Sequence, residues 1–191
     1  MDCHVLSSNV QGRRGCDLVF LTCAIFISET TEKEYYVRGC TALLDAVGGA
    51  IHHIGNVHKY AREEDRPEKT LFIITTDGME NSSRRYTFEE VKQMVESQKT
   101  KYGWEFLFLG ANIDAIEVAG RFGIEPARAV NYECDSEGTA VNYKVLSEAV
   151  TRVREAKCCA SVALTADWKD EIEKDYKRRH GKGLVQHNGI C

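Results

Sequence analysis

Asp77 is the residue whose place in the chain most invites chemistry. It follows Thr70-Leu71-Phe72-Ile73-Ile74-Thr75-Thr76, a continuous apolar and β-branched run, and it precedes Gly78. A run without alternation reads as a strand covered on both faces. In open α/β sheets, ligands bind beyond the carboxyl ends of such strands. A carboxylate there suits a hard divalent cation, which prefers oxygen ligands. The same Asp-Gly pair equally suits a structural turn, with Gly78 permitting a tight bend. Thr41 heads a helical pattern, where its hydroxyl either caps the helix or faces a cation; capping is the commoner use. Gly110-Ala111-Asn112-Ile113-Asp114 is a second polar loop after a second apolar run.

Other chemistries lack their signatures. The sequence holds no G-x-S-x-G elbow, no phosphate-binding G-x-x-x-x-G-K-[ST] and no G-x-G-x-x-G. None of its six histidines forms H-E-x-x-H; His52, His53 and His58 share one helix at spacings that do not converge on a metal, and read as solvated or boundary side chains. The eight cysteines show no C-x-x-C and no zinc-finger spacing with histidine. A reduced, cytoplasmic setting follows as the simpler expectation; the vicinal Cys158 and Cys159 read as a redox pair or, more commonly, as free thiols near a helix end.

These residues need elements to hold them. Leu43, Leu44, Val47, Ile51, Ile54 and Val57 recur at steps of three and four, which predicts a helix with one apolar face. Gly48-Gly49 in its middle suggest close packing on a sheet. Residues 60–69 read as a charged loop and 70–76 as a buried strand. Thr87 with Glu90 three residues on is a capping box, opening a helix through Val91, Met94 and Val95. A strand over 104–109, a short helix over 115–122 and a strand over 127–132 follow. A helix over 139–155 uses Ala140, Tyr143, Leu146, Ala149, Val150 and Val153. Asp167 reads as the cap of a last helix over 168–179, with a loose end beyond. Strands alternating with helices predict an α/β fold: a doubly wound, mostly parallel sheet with helices on both faces.

With 191 residues, 43% apolar and 28% charged, the chain can bury a full core. Its net charge of −4 gives no electrostatic case for nucleic acid or acidic lipid as a partner. Residues 18–27 follow Arg13-Arg14 and loosely imitate a signal sequence, but Asp17 abuts them and no cleavage pattern follows. Ten residues are too few to span a bilayer, so a buried strand is the better reading and no membrane partner is expected. Residues 1–28 lack the regular punctuation of 29–156, and 157–191 reads as a terminal helix with a flexible tail.

Three blocks carry a family resemblance. Arg38-Gly39-Cys40-Thr41-Ala42-Leu43-Leu44-Asp45-Ala46, then Phe72-Ile73-Ile74-Thr75-Thr76-Asp77-Gly78-Met79-Glu80-Asn81, then Phe106-Leu107-Phe108-Leu109-Gly110-Ala111-Asn112-Ile113-Asp114 resemble bacterial von Willebrand factor type A (VWA) domain proteins. The resemblance implies a Rossmann-like VWA fold with a metal-ion-dependent adhesion site. It assigns Thr41 and Asp77 as ligands of Mg²⁺ or Mn²⁺. It places Gly78, Glu80, Asn81, Asn112 and Asp114 on a face that meets an acidic residue of a protein partner. The family's D-x-S-x-S loop has no match here, which implies a member altered or truncated at its N-terminus, lacking the first strand and helix. Such a site is degenerate and binds metal weakly. The expected function is a non-enzymatic protein–protein interaction module. The alternatives are a phosphate- or nucleotide-handling α/β enzyme, or a fragment without function. Residues 18–27 are expected to fill the place of the missing strand.

Overall fold

The computed structural model describes residues 4–8, 16–22, 41–157 and 164–180, the first two stretches by backbone alone. Five strands form one sheet in the order β1-β2-β3-β4-β5: β1 (His4–Ser8), β2 (Cys16–Thr22), β3 (Lys69–Thr76), β4 (Glu105–Gly110) and β5 (Ala129–Asn131). β1 runs antiparallel to β2, and β2 through β5 are mutually parallel. The helices are α1 (Leu43–Tyr60), α2 (Phe88–Tyr102), α3 (Ala115–Arg121), α4 (Ser136–Glu155) and α5 (Asp170–His180).

The two faces of β3 explain its unbroken apolar run. Alternate residues point to opposite sides. Phe72 and Ile74 join Phe106 and Phe108 under α1, α2 and α3. Leu71 and Ile73 join Leu107 and Leu109 under α4 and α5. Ile73 and Ile74 are both fully buried. The first face is aromatic: Phe72 lies 5.2 Å from Phe106, and Phe122 lies 5.8 Å from Phe108 and 5.4 Å from Phe88, centroid to centroid. The α/β architecture with helices on both faces is therefore as expected.

Residues 18–22 of the N-terminal apolar run lie in β2, whose register pairs Leu18 with Leu71 and Thr22 with Thr75. The edge of β3 is thus occupied; the remainder of that run lies outside the described residues. The segment 157–191 supplies Leu164, Trp168 and Ile172 to the second core face, so it closes the α4 side of the sheet. Its end, 181–191, and the Cys158-Cys159 pair lie outside the described residues.

Several local readings change. Val57 is exposed rather than part of the α1 face, because the inward face continues from Ile54 to His58, whose ring packs edge-on against Trp104 at 5.3 Å. Gly48 packs against the Tyr86 ring, not the sheet: a Cβ there would come within 2.7 Å of the ring, while Gly49 has open space. In α4 the buried stripe runs through Asn142, Val145, Leu146, Ala149, Val150 and Val153, with Ala140 and Tyr143 outside it. Asp135 begins α4, accepting from the Gly138 amide at 2.7 Å. The terminal helix opens with a 3-10 turn, Ala166–Lys169, preceded by Thr165, so Asp167 sits inside that turn rather than capping it. The α2 capping box forms as read: Thr87 Oγ1 accepts from the Glu90 amide at 3.3 Å, and Glu90 Oε2 accepts from the Thr87 amide at 2.8 Å.

Candidate functional site

β3 ends in a turn built on Thr76. Its hydroxyl donates to the Gly78 carbonyl at 2.9 Å and accepts from the Gly78 amide at 3.4 Å. That turn leaves Asp77 exposed at the end of a buried strand. Gly78 does not owe its place to backbone strain. It is not among the positive-φ glycines, and an added Cβ would make an ordinary contact, 3.5 Å, with Thr41 Oγ1. The same contact puts the Thr41 hydroxyl beside the Asp77-Gly78 turn. The structure therefore brings the two expected ligands to one end of the sheet. Thr41 does not cap α1: Ala42 holds the N-cap position, and no side-chain cap bond forms there.

The orphan amides of α1 are satisfied from a distance. Glu80 Oε2 accepts from the Leu44 amide at 2.8 Å, and Ser83 Oγ accepts from the Asp45 amide at 3.0 Å. Glu80 also takes the amides of Ser82 and Ser83 at 3.0 and 2.7 Å, and the Ser83 hydroxyl at 2.7 Å. In return Asp45 accepts from the amides of Arg84, Arg85 and Tyr86 at 2.8–3.0 Å. Asn81 completes the clamp: its Oδ1 accepts from the Thr41 amide at 2.7 Å, and its own amide donates to the Thr41 carbonyl at 3.0 Å. Partial burial pushes the Glu80 carboxyl up. The hydrogen bonds from Leu44, Ser83 and Ser82 outweigh this, and the group titrates below its ordinary value. Asp45 behaves alike: burial raises it, and the backbone bonds from Arg84, Arg85 and Tyr86 bring it lower overall. Glu80 and Asn81, expected on a partner-binding rim, thus hold the loop 78–87 onto the start of α1.

The second loop is built tightly. A Cβ at Gly110 would fall 2.8 Å from the Ile113 side chain and 2.9 Å from Ala115 Cβ. Asn112 has φ 59, a left-handed conformation that asparagine tolerates, and its amide reaches the Asp77 carbonyl at 3.5 Å. Asp114 is the N-cap of α3, accepting from the Ile116 and Glu117 amides at 3.1 and 3.0 Å. Its carboxylate is therefore engaged within the helix start. Of the expected rim, Gly78 and Asn112 border Asp77 without such a commitment of a charged side chain.

Two further residues share this end. Tyr132 and Cys134 follow β5, two positions apart, and their side chains hydrogen bond to each other. Burial pushes the Tyr132 phenol well above its ordinary value, with the charges of Cys134 and Asp77 adding to the shift. Partial desolvation of the sulfur, with the Asp77 charge, likewise raises the Cys134 thiol. Cys134 is free and exposed. The apolar run before Tyr132 marks a strand end, but nothing in the spacing connects it with Asp77, fifty-five positions earlier in the sequence.

The donor set has a definite chemical character. Asp77 offers an anionic oxygen that accepts no hydrogen bond from a described side chain or amide, and Thr41 offers a neutral one. Both are hard donors of the kind Mg²⁺ and Mn²⁺ take, and about four of six octahedral positions remain for water or an incoming carboxylate. Among the described residues no group of three or more His, Cys, Asp or Glu is arranged to hold a metal ion. The two residues fit such an ion in kind, and their number makes for weak retention. Among the described residues, no helix is long and apolar enough to cross a membrane. Comparison with protein-family models, with curated proteins and with solved structures finds no match for this chain.

Proposed function

We propose that the chain is a VWA-like protein–protein interaction module, without catalytic activity, whose contact face is the carboxyl end of the parallel strands. In this reading the sheet is a Rossmann-like VWA variant. Asp77 and Thr41 hold Mg²⁺ or Mn²⁺ weakly, and an acidic residue of the partner completes the shell. The observation that carries the reading is the contrast among neighbouring carboxylates. Asp45, Glu80 and Asp114 are engaged with backbone amides. Asp77 stands exposed beside Gly78, with the Thr41 hydroxyl next to the turn. A partner that brings its own carboxylate gains most at a site whose metal is incompletely held, since each oxygen it supplies replaces water.

Calorimetric titration with MgCl₂ and MnCl₂ tests this. The expected dissociation constant is about millimolar or weaker, with Asp77→Ala removing the heat and Thr41→Ala reducing it. A micromolar site, or heat unchanged in Asp77→Ala, would contradict the assignment. A thermal shift with a nucleoside triphosphate in the absence of metal should be nil; a clear rise would favour a nucleotide-handling enzyme instead.

A further inference from the structure

At the other end of the sheet, between the carboxyl-terminal halves of α1 and α2, lies a cleft of about 360 Å³. Its shape follows from spacing. Met94, Gln98 and Tyr102 recur every four residues along α2, and Ile51, Gly55 and Lys59 do the same along α1. Residues four apart lie on one helical face, so two rows look across one groove. Gly55 leaves it open: an added Cβ would still stand 3.7 Å from Gln98 Nε2. Trp104, almost fully buried, meets the inner wall at its edge, with Phe72 stacked behind it at 6.3 Å and the His58 ring edge-on to it at 5.3 Å.

The charge around this cleft is one-sided. Lys59 and Arg66 line it, and none of the described residues that line it carries a carboxylate. The chain as a whole has 29 acidic against 25 basic residues, so this local balance runs against the average. Of the acids close to Arg66 in sequence, Glu64 and Asp65 pair with Arg62, and neither Glu63 nor Glu68 lines the cleft. Arg66 is held in place at the mouth, donating from Nε to the Ala61 carbonyl at 3.2 Å and from Nη2 to the Lys59 carbonyl at 3.3 Å. A volume in this range is typical of small-ligand clefts, which combine apolar walls with a few polar groups that fix orientation.

We infer that this cleft binds a small planar aromatic carboxylate. The ring lies against Trp104 between Ile51 and Met94, and the carboxylate faces Lys59 and Arg66. The apolar wall favours a flat ring, which buries its faces with little loss of conformational freedom. The two cations favour an anion over a neutral ring of the same size.

The test is an amide and indole correlation spectrum of the full chain, titrated with 2-naphthoate and separately with uncharged 2-naphthalenemethanol. Naphthoate should shift the Trp104 indole N–H. The Trp168 indole, which donates to the Ala127 carbonyl at 2.9 Å, should stay in place. The uncharged probe should bind several-fold more weakly. Lys59→Gln, at an exposed position, should weaken naphthoate by about three- to fivefold, as expected for a surface charge, and leave the neutral probe unchanged. Gly55→Leu should fill the groove and abolish binding of both probes without lowering the melting temperature. The inference is overturned if Trp104 does not move up to the solubility of naphthoate, if both probes bind equally, or if a folded Gly55→Leu variant binds undiminished. Should Gly55→Leu fail to fold, the Lys59→Gln comparison decides by itself.

Discussion

Removing the Glu80 carboxylate would leave three backbone amides and a hydroxyl without their acceptor. Glu80→Ala should therefore cost about 1–3 kcal/mol of stability, the penalty for unsatisfied donors, measurable by urea denaturation. Its carboxyl and that of Asp45 titrate below their ordinary values of 4.5 and 3.8. A depressed folded value means stability that is present above the unfolded value and lost as pH falls through the folded one. The wild type should lose stability in that acid window, and Glu80→Ala should lose less of it. Cys134 offers a second residue-scale check. Its raised thiol should alkylate several-fold more slowly at neutral pH than a free cysteine peptide, by mass-resolved labelling. Asp77→Asn should accelerate it, since one of the charges opposing the thiolate is gone. An unchanged rate would mean that Asp77 does not influence the thiol. Asp77 itself was legible in the sequence because a carboxylate after a buried run has a positional meaning. The roles of Glu80 and Asp45 were not, because each depends on partners thirty-six to forty-one residues away.

At the scale of elements, β3 carries the fold. Ile73 and Ile74 enter opposite core faces and are both fully buried. Truncating either to Ala should cost about 2–5 kcal/mol; an unchanged melting temperature for either variant would contradict a strand covered on both sides. Glu105, which is buried, and Arg128, which is half-buried, make an ion pair between the start of β4 and the turn before β5. Arg128→Ala would strand the Glu105 charge and should cost about 3–5 kcal/mol, while a double change to well-packed apolar residues should recover most of that loss. The strands and helices were readable because periodicity reports burial directly: an unbroken apolar run for β3, a three-and-four pattern for α1. The errors fell where tertiary contacts override the pattern. Gly48 faces a ring from the loop 78–87, and Asn142, a polar residue, lies on the buried stripe of α4. No single-element period reports either contact.

At the scale of the whole molecule, the parallel pairing of β2 with β3 protects the central strand. Deleting residues 1–28 would expose a long apolar edge, and such edges pair with other chains. The deletion variant should be oligomeric or insoluble by size-exclusion chromatography. A monomer that melts like the full chain would show that β2 contributes nothing to the sheet. Paramagnetic broadening by Mn²⁺ tests most directly the proposed weak divalent-ion site centred on Asp77 at the carboxyl end of this sheet. In an amide correlation spectrum, Mn²⁺ added in stages should first broaden Thr41, Asp77 and Gly78, then Asn112. The effect should develop at about millimolar ion, the weak end of oxygen sites, and vanish in Asp77→Ala. Broadening centred elsewhere, saturation at micromolar ion, or an unchanged pattern in Asp77→Ala would contradict the proposal.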